Sequence, residues 1–335
     1  MPQRAADPVI SRTELLSQGL SDNQIRRARE RGELHSVLPG LYLRAVPDPP
    51  PDPAERHRAT LTVVVPLLSG RPVVSHVSAA VMHGLPFCHS EVGWFGLLRQ
   101  DETGRSGQDE AGRLRPDDPG LFGGTRPGAT APLHVTRPDA AKSRRGATVR
   151  LHKAALHPGE VVELGGLPVT TPERTVVDCA LTLPFDHAVM LADAALHRGL
   201  VSRESLVRQL GRLHRVPGTR RATEVVAFAD PRSRGPGESF SRVLMHRWGL
   251  PNPELDVAGP GDQVAPRGRF GFGFPGTRVL GDFVDGASAS DVDPSGRMAA
   301  LLSEGWQVVR WSWPELRAPQ HWVDQLRTAL QPVRP

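Results

Sequence analysis

A chain of 335 residues exceeds one typical domain and points to two or three. Hydrophobic residues at 39% are enough for real cores, whereas 34 glycines and 33 prolines imply many loops. A formal charge of +5 suits a nucleic-acid partner without requiring one, and two isolated cysteines, Cys88 and Cys179, exclude a disulfide framework or a CxxC site. No stretch approaches the roughly 18 apolar residues of a membrane span and the N-terminus lacks a signal-peptide core, which predicts a soluble, cytoplasmic protein without a membrane partner.

The first elements, within residues 8–45, read as a winged helix-turn-helix. Ser11 is placed to cap a helix over Arg12 to Gln18 that Gly19 can end. Ser21 with Gln24 is a capping-box pattern for a second helix closed by Gly32. Glu33 to Val37 and Leu41 to Arg44 read as strands around Pro39-Gly40, the wing. Two short helices across a Gly-containing turn are the geometry that lays the second helix into a major groove. On that helix Ile25 and Ala28 mark the packed side, and Asn23, Arg26, Arg27 and Glu30 share the opposite one, with Arg31 on its flank. Guanidinium forks pair with guanine or clamp phosphate, and Asn pairs with adenine. The predicted contacts to double-stranded DNA are Asn23, Gln24, Arg26, Arg27, Arg31 and, on the wing, Arg44. The plainer alternative is a solvated charged face.

Pro47 to Pro53 reads as a stiff extended linker. A middle region, 55–229, follows as α/β, interrupted by a Gly-, Asp-, Arg- and Pro-rich segment at 101–132 that reads as a disordered insertion. Leu61 to Leu68 fits either a helix or a buried strand. Val74-Ser-His-Val-Ser-Ala-Ala-Val-Met-His-Gly-Leu predicts a helix from near His76 to Gly84. Leu133-His-Val-Thr and Val149-Arg-Leu-His predict strands flanking a turn at Arg144 to Gly146. Arg144, Arg145 and Arg150 there form either a second basic contact for phosphate or an exposed charged hairpin. His76, His83, Cys88 and His89 fit no compact zinc spacing, so no metal is expected, and His76 is expected to cap or pack at its helix start.

Gly165-Gly-Leu-Pro-Val-Thr-Thr-Pro-Glu-Arg-Thr-Val-Val-Asp178 predicts a helix capped by Thr170 or Thr171, with Arg174 and Asp178 as an exposed pair one turn apart. Helices over Asp186 to Arg198 and Arg203 to Leu213 follow. Together with the winged helix and Ser75-His-Val-Ser-Ala-Ala-Val-Met-His-Gly-Leu, this segment resembles the AbiEi family of antitoxins from abortive-infection toxin–antitoxin systems, over residues 8–215. The resemblance implies a winged-helix DNA-binding domain joined to an antitoxin domain, autorepression of its own promoter, and opposition to a nucleotidyltransferase toxin. The long insertion departs from that pattern.

From the break at Asp230 to Gly237 onward, the region of residues 236–330 is marked by Gly235-Pro-Gly-Glu-Ser-Phe-Ser-Arg-Val-Leu-Met, Arg278-Val-Leu-Gly-Asp-Phe-Val-Asp-Gly286 and Leu301-Leu-Ser-Glu-Gly-Trp-Gln-Val-Val-Arg-Trp. These resemble the Vsr-like branch of the PD-(D/E)xK nuclease fold, which implies carboxylates on a central sheet holding Mg²⁺ that activates water. Glu238, Asp282 and Asp285 are the catalytic candidates if the domain cleaves. The set is incomplete. With Asp282 as the first carboxylate, the second acidic strand is missing; with Asp282 and Asp285 as the second, the first position falls near Gly271. Neither Lys142 nor Lys153 lies in this domain, so no lysine is available in either register.

The resulting expectation is a mixed α/β protein in three parts: winged helix, AbiEi-like α/β domain, and a degenerate nuclease-like domain. It acts as a sequence-specific DNA-binding autorepressor and antitoxin without a cofactor. The rival is a Mg²⁺-dependent DNA endonuclease targeted by the winged helix.

Overall fold

The computed structural model describes residues 9–38, 40–44, 53–86, 132–145, 149–213, 216–259, 269–284, 298 and 301–331. The chain is mixed α/β, with three sheets among the described residues, and divides into two compact units, Met1–Cys179 and Ala180–Pro335. Among the described residues no helix is long and apolar enough to cross a membrane. Most of the proline-rich linker, nearly all of the 101–132 insertion, Cys88, His89 and Asp285 lie outside the described residues.

In the first unit, β1 (Val9–Ser11), α1 (Arg12–Ser17), α2 (Asp22–Glu30), β2 (Leu34–Leu38) and β3 (Leu41–Arg44) follow in order. Their antiparallel sheet has the order β1-β3-β2. Strand β1 was not anticipated, because three residues are too few to display a period of two. Both helices open with complete capping boxes, Ser11 with Glu14 and Ser21 with Gln24. Ile10, Leu15, Ile25, Ala28, Leu34 and Tyr42 form one buried cluster beneath the helices and the hairpin. At the surface a bidentate Arg12–Asp22 bridge, at 2.9 and 2.6 Å, also joins α1 to α2.

The rest of this unit is built on a six-stranded mixed sheet. It comprises α3 (Pro53–Val64), β4 (Val73–Val74), α4 (His76–Met82), β5 (Leu133–Thr136), β6 (Arg144–Arg145), β7 (Val149–His152), β8 (Val161–Leu164), β9 (Leu167–Thr170) and α5 (Pro172–Thr182). The strand order is β6-β7-β5-β4-β9-β8. The ambiguous Leu61–Leu68 run resolves as the end of α3 and a 3-10 turn, Val65–Leu67. Arg144 and Arg145, expected in a turn, instead pair with β7 as a short edge strand. Gly165 and Gly166 have φ of +57° and +74°, the pair of positive values that a two-residue hairpin between β8 and β9 demands. Leu61, Val64, Val74, Leu133, Val135, Leu167 and Val169 bury one sheet face under α3 and α4. The alternation of β5 then turns His134 and Thr136 to the other face, where they too are buried.

The second unit begins with α6 (Phe185–His197), α7 (Arg203–Gly211), α8 (Thr219–Phe228) and α9 (Pro236–Arg247). Strands β10 (Glu254–Ala258), β11 (Arg269–Gly273), β12 (Val279–Phe283) and β13 (Gln307–Trp311) form a sheet in that order. The first two pairings are antiparallel and β12 with β13 is parallel. Helices α10 (Trp313–Arg317) and α11 (Gln320–Ala329) close the chain. Trp311, fully buried, stacks on Trp322 at 4.4 Å between ring centroids, and its indole N–H donates to Ser241 Oγ at 2.7 Å. Arg242 makes a buried bidentate pair with Asp193 at 2.7 and 2.9 Å and covers the Phe228 ring at 4.3 Å.

Candidate nucleic-acid interface and carboxylate cluster

Helix α2 is presented by its caps and by the two apolar residues beneath it. Asn23, Arg26, Arg27 and Glu30 are exposed on the face opposite Ile25 and Ala28. Among the described residues Arg26 and Arg27 meet no carboxylate, so their guanidinium groups are available to an external anion. Other members of the predicted contact set are engaged within the protein. Gln24 Oε1 accepts from the Ser21 backbone N–H at 2.7 Å, which makes it a capping residue first. Arg31 is forked onto Glu33 at 2.6 and 2.9 Å, and that partner raises its pKa further. Arg44 donates to Gln18 Oε1 at 3.0 Å, fastening the wing to α1 while staying exposed. The unencumbered set is therefore Asn23, Arg26 and Arg27. Arg144, Arg145 and Arg150 are exposed along the β6–β7 edge of the six-stranded sheet.

In the second unit Glu238 and Asp282 meet around Gly271. The register sets Phe272 opposite Gly281, so Gly271 neighbours Asp282. A Cβ on Gly271 would stand 3.2 Å from Glu238 Oε1. Gly271 thus stands where one of the two sequence registers puts the first acidic residue. Positive charge in the cluster comes from arginine. Arg234 Nε and Nη2 donate to Glu238 Oε1 at 2.9 and 2.6 Å, and its backbone N–H donates to Oε2 at 2.8 Å. Asp256 lies 2.5 Å from Arg269 and 3.9 Å from Arg234, and Asp282 lies 3.5 Å from Arg310. Burial raises the pKa of Asp282, against the pull of Arg310 and Arg234 and a hydrogen bond from the Gly271 backbone N–H. Three carboxylates thus face three guanidinium groups. Mg²⁺ needs several free oxygen ligands, yet both Glu238 oxygens already accept from Arg234. Among the described residues the donor set does not fit the metal.

A second polar centre lies in the six-stranded sheet. Arg174, expected on an exposed helix face, is buried. Its Nε meets Asp178 at 2.9 Å, and its Nη1 meets Glu160 at 2.7 Å and the Ala155 carbonyl at 2.9 Å. Glu160, just before β8, is fourteen residues away in the chain, beyond the helical spacing that pairs Arg174 with Asp178. Burial pushes Asp178 up to about 6 despite the guanidinium beside it. Beside this cluster His76, His134 and His152 come together: the rings of His76 and His152 stack at 3.6 Å, and His152 Nε2 lies 3.1 Å from His134 Nδ1. Burial holds His134 at about 3 and His152 at about 4, the latter helped by Arg150 and Arg145. His83, grouped with His76 by sequence proximity, turns instead to the Thr170 carbonyl at 2.7 Å. The strands carrying His134 and His152 were legible in the sequence, but their adjacency was not.

No family model matches the chain. Two curated mycobacterial proteins are similar to it, the uncharacterized proteins MT2308 and Rv2248 of Mycobacterium tuberculosis strains CDC 1551 and H37Rv. Each is 28% identical over 152 residues, covering 44% of this chain and 55% of the relative, so the chain spans about half their length. Among solved structures, the RV2827C protein from Mycobacterium tuberculosis aligns over 76% of this chain and 80% of its own, at 17% identity and a TM-score of 0.35.

Proposed function

We propose that the chain is a sequence-specific double-stranded DNA-binding protein of the cytoplasm, acting as a transcriptional autorepressor and antitoxin. The observation that carries this reading is the exposed face of α2, where Arg26 and Arg27 meet no carboxylate among the described residues and Asn23 stands beside them. In the mechanism, the guanidinium groups take phosphates or guanine edges, Asn23 reads adenine, and the wing with Arg44 lies along the backbone. Occupancy of the promoter then excludes polymerase. Opposition to a nucleotidyltransferase toxin extends the same proposal and is tested by growth rescue on co-expression with a neighbouring toxin gene.

The deciding experiment is a mobility-shift titration on the chain's own upstream DNA, with Arg26→Ala/Arg27→Ala beside the wild type. A sequence-selective, salt-sensitive shift lost in the double variant supports the proposal. An unselective or absent shift overturns it. The engagement of Glu238 by Arg234 argues against Mg²⁺-dependent cleavage as the working activity, and Mg²⁺ lanes in the same titration would reveal nicking.

A further inference from the structure

We propose that His76, His134 and His152 form a binding site for one first-row divalent transition-metal ion of the zinc class, independent of the DNA-binding face. One ligand atom from each residue lies within 4.8 Å of the other two. A tetrahedral zinc ion with metal–nitrogen bonds of about 2.0–2.1 Å holds its ligand nitrogens about 3.3 Å apart. His134 Nδ1 and His152 Nε2, at 3.1 Å, already stand at that spacing. Because an imidazole lone pair lies in its ring plane, bringing in His76 requires its ring to leave the stack on His152 and tilt toward the shared centre, moving its nitrogen by about an ångström or two through a side-chain rotation.

The surroundings fit such a site. His76 Nδ1 lies 2.9 Å from Ser75 Oγ, which in turn receives Thr136 Oγ1 at 2.8 Å. With Nδ1–H donating to Ser75, the Nε2 lone pair is left for a metal; fixing the tautomer through an outer partner is how ligating histidines are oriented. His76 also holds a φ of +53°, which costs about 1–2 kcal/mol in a non-glycine residue and places its ring against that of His152. His152 is only half-buried, leaving a route of entry, and exposed Arg150 on the same strand favours an anion such as hydroxide or carboxylate as fourth ligand.

The full chain, stripped with chelator, is titrated with Zn²⁺ by calorimetry and with Co²⁺ by visible absorption. One equivalent should bind, with the intense d–d bands of a tetrahedral Co²⁺ site. His152→Gln should weaken binding at least tenfold. Ser75→Ala keeps all three imidazoles and should weaken it about tenfold. His321→Gln, exposed and elsewhere in the chain, should leave it unchanged. Absence of saturable one-to-one binding in the wild type overturns the proposal. So does binding that survives both His152→Gln and Ser75→Ala, or that His321→Gln removes.

Discussion

Arg174 Nη1 lies 2.7 Å from Glu160 Oε2, and each side chain is exposed by no more than 2%. Asp178 completes the cluster from one helical turn further along α5. Removing one partner from a buried pair leaves an uncompensated charge, which typically costs about 3–5 kcal/mol. Arg174→Met should therefore destabilise the first unit by that order, as read by urea denaturation. A change below about 1 kcal/mol would show that solvent reaches the cluster.

At the α2 face, Arg26→Ala/Arg27→Ala should reduce the salt dependence of DNA binding by about two counterions if both contact phosphate, because each lost contact lowers the log–log slope by about one. Asn23→Ala should leave that slope alone and relax base preference at one position, by about 1–3 kcal/mol. Fluorescence-anisotropy titrations across a salt series separate the two effects.

Acid should destabilise the first unit through His57. Burial holds His57 at about 4 against an ordinary 6.5, with its Nε2 2.8 Å from Ser78 Oγ. Below pH 6.5 the unfolded chain takes up a proton that the folded chain refuses until about pH 4. Stability is thus complete above 6.5 and declines across that window, by an amount on the order of 3 kcal/mol from this residue. His134 shifts in the same direction, whereas Asp178, raised to about 6, regains part of the loss between pH 6 and 3.8. Thermal melts of wild type and His57→Gln from pH 7.5 to 4.5 should converge as the pH falls. Parallel curves would sink this account.

Arg234 occupies Glu238 as a cation would. Millimolar Mg²⁺ should therefore leave the melting temperature of the wild type unchanged. Arg234→Ala should lose about 1–3 kcal/mol, because it removes both guanidinium donors from Oε1 of a mostly buried carboxylate and keeps only the backbone N–H to Oε2. Mg²⁺ stabilisation of the wild type in differential scanning calorimetry would contradict the arginine-neutralised reading.

Ser241→Ala removes the acceptor of the Trp311 indole N–H inside the second unit. An orphaned buried donor costs about 1–3 kcal/mol, and a scanning-calorimetry shift of that size is expected.

Local chemistry made much of this chain legible from sequence. Ser11 and Ser21 cap their helices because a hydroxyl reaching an N-terminal N–H is decided within four residues. The split of α2 into a packed side at Ile25 and Ala28 and a charged side at Arg26 and Arg27 follows from helical period alone. Tertiary structure decided what depends on neighbours distant in the chain. It paired Arg174 with Glu160, set Gly271 beside Glu238 and Asp282, and gathered His76, His134 and His152 from a helix start and two adjacent parallel strands. Burial and partnership are properties of strand order, and strand order is set by packing the whole sheet rather than by any window of sequence.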